Sequence, residues 1–190
     1  KHVHSILLES DMRALYTAIN NKYVHTPKMI IDRYDISFEQ LPETFSSEVT
    51  MKGTALEPAS VFTFCLNPGL QVQEITWGGK KLDFERDNQI LLVDFGEKIA
   101  PSDTVTFSVK YGGRINSRFC YLDIPAKVLQ QEYKNFLFNI DKQYVFQTPD
   151  YVLFTPETYW YPRPGTAYSD LSSDWQQTYF SKFGLQIKPL

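Results

Sequence analysis

The chain has 190 residues, 43% of them hydrophobic, 15% aromatic and 22% charged, with a formal net charge of −3. That length suits one domain, able to bury roughly 70% of the surface its unfolded form exposes. Interspersed charges leave no electrostatic footprint for nucleic acid or anionic lipid, and no apolar run approaches the ~18 residues of a membrane-spanning helix, so neither a nucleic-acid partner nor direct membrane insertion is expected.

Residues 3–23 read as a helix, because Leu8, Met12, Leu15, Tyr16, Ile19 and Tyr23 recur at three- and four-residue intervals with no Pro or Gly between them. Asn20, Asn21 and Pro27 end it. Its apolar stripe either covers the domain's own sheet or links to an upstream domain. This divides the chain into a helical segment or linker, 1–27, and a β domain, 28–190. The sequence starts without methionine and stops on a strand-like run, which suggests an excised part of a longer chain.

A first strand is expected over 29–38 and a second over 45–55. The second is polar on both sides, which suits a sheet edge or a solvent-facing surface. Strands follow at 61–66, 70–77, 89–95 and 104–111, and the turn signals are Asn67-Pro68-Gly69, Gly78-Gly79, Asp87-Asn88 and Pro101-Ser102-Asp103. Val105, Phe107, Val109 and Tyr111 alternate with polar residues, the period of a half-buried strand. The stretch 60–116 reads as an antiparallel meander, with Gly112-Gly113 as another turn. Residues 124–133 suit a short helix with Pro125 in its first turn. Segment 144–164 is dense in aromatics, and Pro156, Pro162 and Pro164 forbid a continuous central strand there. A last strand is expected over 174–190, with Trp175, Tyr179, Phe183, Leu185 and Ile187 on one face. The fold class is all-β: an antiparallel β-sandwich or saddle with an N-terminal helix and one short helical insertion.

Catalytic constellations are scarce. His2, His4 and His25 all lie near the start and form no His-Glu-x-x-His, so no metal site is expected in this chain. Cys65 and Cys120 suit two buried thiols, and spacing does not exclude a disulfide. Asp83, Glu85 and Asp87 alternate onto one strand face beside Lys80, Lys81 and Arg86, as in a solvated hairpin. Asp150, Glu157, Asp170 and Asp174 suit turn and cap duty, or function where partly desolvated. Tyr159, Trp160 and Tyr161 fill a core on one reading. On the other, together with Trp175, they stack on a sugar or grip a peptide, which would make the chain an independent binding module for carbohydrate or peptide.

The order of features resembles the N-terminal, saddle-like β domain of the aminopeptidase N family of zinc metallopeptidases. The residues that carry it are Tyr34-Asp35-Ile36, Phe45-Ser46-Ser47-Glu48-Val49, Leu66-Asn67 through Val72 to Gly78-Gly79, Pro101-Ser102-Asp103-Thr104-Val105 and Tyr111-Gly112-Gly113. The resemblance covers 30–190. It implies a non-catalytic domain, partnered by a downstream catalytic domain of the same chain that holds the zinc and takes the peptide substrate. The family's Gly-x-Met-Glu-Asn strand and zinc motif belong to that downstream domain and do not occur here. The family's Thr-Gln-x-Glu segment, whose Glu helps hold the substrate's free amine, has its nearest counterpart in Thr155-Pro156-Glu157, one residue short; the resemblance implies a contribution of Glu157 to amine recognition. Tyr159-Trp160-Tyr161-Pro162 and the strand from Trp175 look more like bacterial members fused to permease segments, which implies a membrane-tethered, extracytoplasmic parent.

Overall fold

The structure, a computed structural model, describes residues 15, 18–19, 22–23, 27–117, 119, 145–148, 150–155, 158–166 and 179–188. The expected helical insertion at 124–133 lies outside these residues.

Eight strands occupy the first continuous stretch: β1 (Met29–Gln40), β2 (Phe45–Ala55), β3 (Ala59–Cys65), β4 (Leu70–Trp77), β5 (Lys80–Lys81), β6 (Asp83–Asp87), β7 (Ile90–Ile99) and β8 (Thr104–Gly113). Four more follow: β9 (Val145–Gln147), β10 (Val152–Phe154), β11 (Arg163–Pro164) and β12 (Lys182–Lys188). They form a six-stranded sheet in the order β12-β1-β2-β8-β4-β5, a four-stranded sheet in the order β11-β3-β7-β6, and a β9-β10 hairpin.

The expected meander is therefore divided between two layers. β4, β5 and β8 belong to the large sheet, and β3, β6 and β7 to the small one. β3, β4, β7 and β8 each have an apolar face, and two such faces bury more area against each other than one flat sheet could. Phe64 of β3 meets Phe107 of β8 at 5.7 Å between ring centroids, and Phe95 of β7 meets the same ring at 5.3 Å, edge-on. These contacts cross between the layers. Each fully buried phenylalanine contributes roughly 1.5–3 kcal/mol by leaving water.

β2 is not at an edge; of the two settings its polarity suggests, the solvent-facing one holds, on the face that carries Glu48 and Lys52. It lies between β1 and β8, paired antiparallel to both. Its inward positions are Phe45, Ser47, Val49, Met51, Gly53 and Ala55, all buried. Two of them look polar or neutral in sequence and are inward for local reasons. The Ser47 hydroxyl donates to the Ser37 carbonyl oxygen at 2.9 Å, so its burial leaves no unpaired donor. Gly53 leaves room for the Met29 and Ile31 side chains, which a Cβ there would strike.

Gly78 and Gly79 do turn the chain between β4 and β5, at φ of 57° and 77°. Gly112 does not turn it. That residue lies inside β8 opposite Ser46, where a Cβ would sit 2.6 Å from the Phe45 carbonyl oxygen. Only glycine lets the two backbones approach this closely.

At the far side of the large sheet, β12 pairs with β1 in parallel, the one parallel pairing among the described strands. The register sets Phe183 beside Tyr34, Leu185 beside Ile36 and Ile187 beside Phe38. The expected alternation along the last strand is present over 182–188, while Trp175 lies outside the described residues.

Near the start, Leu15, Ala18 and Ile19 are helical, and Ile19 is buried. The segment touches the end of β6. Tyr23 Oη donates to Asp87 Oδ2 at 2.9 Å, and Lys22 Nζ lies 3.4 Å from the same oxygen.

Candidate functional site

The aromatic segment singled out in sequence is fastened to the sandwich through the turn between β3 and β4. Asn67 is fully buried there. Its Nδ2 donates to the Thr158 carbonyl oxygen at 2.9 Å and to the Asn116 carbonyl oxygen at 3.2 Å. Its Oδ1 accepts from Gly69 N at 2.9 Å and Asn116 N at 2.8 Å. The backbone N of Asn67 donates to the Tyr159 carbonyl oxygen at 2.9 Å. One side chain thus uses its full complement of two donor hydrogens and two acceptor sites to join three chain segments.

Arg86 braces the same turn from β6. Its Nη2 donates to the carbonyl oxygens of Leu66 at 2.8 Å and Asn67 at 2.9 Å. Burial lowers its pKa to about 10, with Cys65 beside it acting in the opposite sense, so the guanidinium stays charged at neutral pH. The expected solvated hairpin therefore holds for Lys80, Lys81, Asp83 and Glu85, which are exposed, and not for Arg86. Arg86 points to the opposite face by strand alternation, and Asp87 is taken up by Lys22 and Tyr23. Cys65 is buried, and Cys120 lies outside the described residues.

Among the expected site residues, Tyr159, Trp160 and Tyr161 are described, whereas Glu157 and Trp175 lie outside the described residues. Tyr159 has φ 48°, a left-handed conformation costly for a bulky side chain. The Asn67 hydrogen bond to its carbonyl holds it, and the Arg163 guanidinium lies 5.1 Å above its ring centroid. Trp160 meets Phe38 edge-on at 6.1 Å and Phe154 at 5.6 Å, and it packs against the core. Tyr161 packs against the core as well, edge-on to Tyr34 at 5.1 Å. Burial pushes the Tyr161 phenol up, with Arg163 partly offsetting it, and burial pushes that of Tyr34 higher still. The planes of Trp160 and Tyr161 stand at 81°. Both rings are half-buried, each packed on one side against the core.

Exposed large apolar side chains lie at the β9–β10 hairpin, with Tyr151 and Leu153, and in a row on β12. Phe183 stacks on Tyr34 at 4.9 Å and 11°, yet is 56% exposed; Leu185 and Ile187 are 56% and 60% exposed. Their β1 neighbours Tyr34, Ile36 and Phe38 are buried core residues. The core face of the large sheet therefore runs out past the cover provided by the small sheet. Phe180, 94% exposed, lies just ahead of the strand. Sequence alternation marks Phe183, Leu185 and Ile187 as one face, but gives no sign that all three are more than half exposed.

The described residues do not fit a zinc site, since no three His, Cys, Asp or Glu side chains among them come together. Nor is any helix among them long and apolar enough to cross a membrane.

No protein-family model matches the sequence, and no curated protein sequence does. Solved structures do show a partial likeness. An M1 zinc metallopeptidase from Deinococcus radiodurans, a mutant bound to a Tyr-Ser-Ala substrate, is 22% identical over 47% of this chain and 21% of that one, with a TM-score of 0.44. A two-domain M1 zinc metallopeptidase mutant bound to L-tryptophan is 22% identical over 49% and 22%, with a TM-score of 0.45. The M1 zinc metallopeptidase from Deinococcus radiodurans without a named ligand gives 21% identity over 49% and 22%, also at 0.45. The matched part spans about a fifth of those chains. Likeness at this level assigns neither activity nor site residues to the chain.

Proposed function

We propose that the chain is the non-catalytic N-terminal β domain of an aminopeptidase N-like zinc metallopeptidase, packing on a catalytic domain of the same parent and walling one side of its peptide cleft. The observation that carries this reading is the uncovered apolar face of β12, where Phe183, Leu185 and Ile187 continue a buried core face into solvent. Contiguous apolar surface of this kind is costly to leave in water and marks a contact surface; interfaces between domains of one chain commonly bury on the order of 600–1,500 Å². The ordered motifs from Tyr34 to Gly113 support the family. They lie on β1, β2, the β3–β4 turn, β4, the β4–β5 turn, the β7–β8 turn and β8, as parts of a scaffold. In the parent, Glu157 contributes to holding the free amine of the peptide.

The test is direct. With zinc and amino-acid anilides the purified chain is expected to give no turnover, while a longer chain carrying the downstream zinc motif does. Chelator-sensitive turnover that tracks the 190-residue chain overturns the proposal.

A further inference from the structure

The small number of polar groups on β12 specifies more than an apolar contact. Among the described residues β12 ends the large sheet with β1 as its only partner strand, so none of them pairs with the N–H and C=O groups of its other edge. Alternation gives the strand two unlike faces. Phe183, Leu185 and Ile187 face the core side; Lys182, Gly184, Gln186 and Lys188 face outward. Both lysines are exposed, and neither forms an ion pair with a described residue. Arg33, next to Lys182 in the register, is held by Asp35 through two contacts of 2.6 Å, so that carboxylate is already engaged.

We propose that the free edge of β12 accepts one further extended strand from a protein partner, whose inward side chains are apolar and whose outward side chains are acidic. The inference rests on β12 being the contact surface with the rest of the parent, and specifies how that contact is made. Main-chain hydrogen bonds hold the added strand, and its apolar side chains extend the row formed by Phe183, Leu185 and Ile187. Its carboxylates lie beside Lys182 and Lys188. Charge disfavours a second copy paired in the register that matches the apolar residues. An antiparallel pair of β12 strands centred on Leu185 sets Phe183 against Ile187, but it also sets Lys182 against Lys188 at both ends. Like charges directly opposite are destabilising, and lysine is a common guard on open edges.

The experiment titrates the whole chain into two labelled nine-residue peptides, one alternating valine with glutamate and one alternating valine with lysine, read by fluorescence anisotropy. The glutamate peptide is expected to bind more tightly by roughly 2- to 30-fold, from two cross-strand charge pairs. The double substitution Lys182→Glu with Lys188→Glu reverses the preference, and both substitutions lie on exposed side chains, so the fold is kept. Bound glutamate peptide also slows amide exchange in β12. Equal binding of the two peptides overturns the proposal, as does binding without slowed exchange. No binding below ~1 mM overturns it too. A dimer that Leu185→Asp dissociates in sedimentation assigns the edge to a second copy instead. A parent without a zinc motif overturns the family reading and leaves the peptide preference standing.

Discussion

Replacing Asn67 tests whether the aromatic segment is held by the β3–β4 turn. Asn67→Ala removes four side-chain hydrogen bonds at a fully buried position, those with Thr158 O, Asn116 O, Gly69 N and Asn116 N. A neutral hydrogen bond contributes about 1 kcal/mol net, and a buried group left unpaired costs about 1–3 kcal/mol. With part of the freed groups reaching water, the loss comes to about 4 kcal/mol, a large share of the 5–15 kcal/mol typical of a whole domain. For a chain of this size the midpoint of thermal unfolding falls by roughly 8–16 °C. Asn67→Asp separates geometry from hydrogen bonding. The introduced carboxylate still accepts from Gly69 and Asn116 but faces the Thr158 and Asn116 carbonyl oxygens with no proton to donate. Burial and those carbonyls raise its folded pKa above the unfolded value of about 3.9. The protonated form is the one the fold accommodates, so stability is fully present below the unfolded pKa and is lost as pH rises through the folded one. Urea unfolding between pH 4 and 7, read as the difference from wild type, is expected to show a deficit that grows with pH. An Asn67→Ala protein within ~1 kcal/mol of wild type, or an Asn67→Asp deficit independent of pH, refutes the reasoning.

The remaining expectations concern the core, the helical segment and the close strand approach. Phe64→Ala, at a position with no exposure, is expected to cost about 3–5 kcal/mol in urea unfolding, while Leu185→Ala at the half-exposed β12 face costs under ~1 kcal/mol in the isolated chain. The Tyr23 hydrogen bond is the foremost cause of a lowered Asp87 pKa, which makes its contribution present above the unfolded value and lost as pH falls through the folded one. The stability difference between wild type and Tyr23→Phe should therefore be flat above about pH 5 and shrink toward pH 3, followed by denaturant titration at each pH. Gly112→Ala drives a methyl against the Phe45 carbonyl oxygen and is expected to destabilise by about 1–3 kcal/mol, with faster amide exchange where β2 and β8 pair.

Strand positions were legible wherever alternation was strong. The expected spans 45–55 and 70–77 coincide with β2 and β4, and Val105, Phe107, Val109 and Tyr111 are buried as their period requires. What period cannot carry is which strand neighbours which. β3 and β4 are adjacent in sequence but belong to different sheets, because pairing depends on contacts far along the chain. β2 reads as polar on both sides because Ser47 and Gly53 occupy inward positions, one through a hydrogen bond and the other through the bulk of Met29. The same limit applies to the candidate site. Asn67-Pro68-Gly69 read as a local turn, and nothing local shows that the Asn67 side chain reaches Thr158, ninety-one residues on. Arg86 read as solvated beside its charged neighbours, although its partners are main-chain carbonyls. Tyr159, Trp160 and Tyr161 carry both a core and a platform reading in sequence, because the rings they meet, such as Phe38 and Tyr34, lie more than a hundred residues away.

The central claim is that β12 is a contact surface for a catalytic domain of the same parent. Its most direct test is amide exchange over 182–188, compared between the isolated chain and the full-length parent. The expected result is fast exchange in the isolated chain and strong protection in the parent, lost again when Phe183, Leu185 and Ile187 are replaced by serine. Equal exchange in both, with β12 open to solvent in the parent, would contradict it.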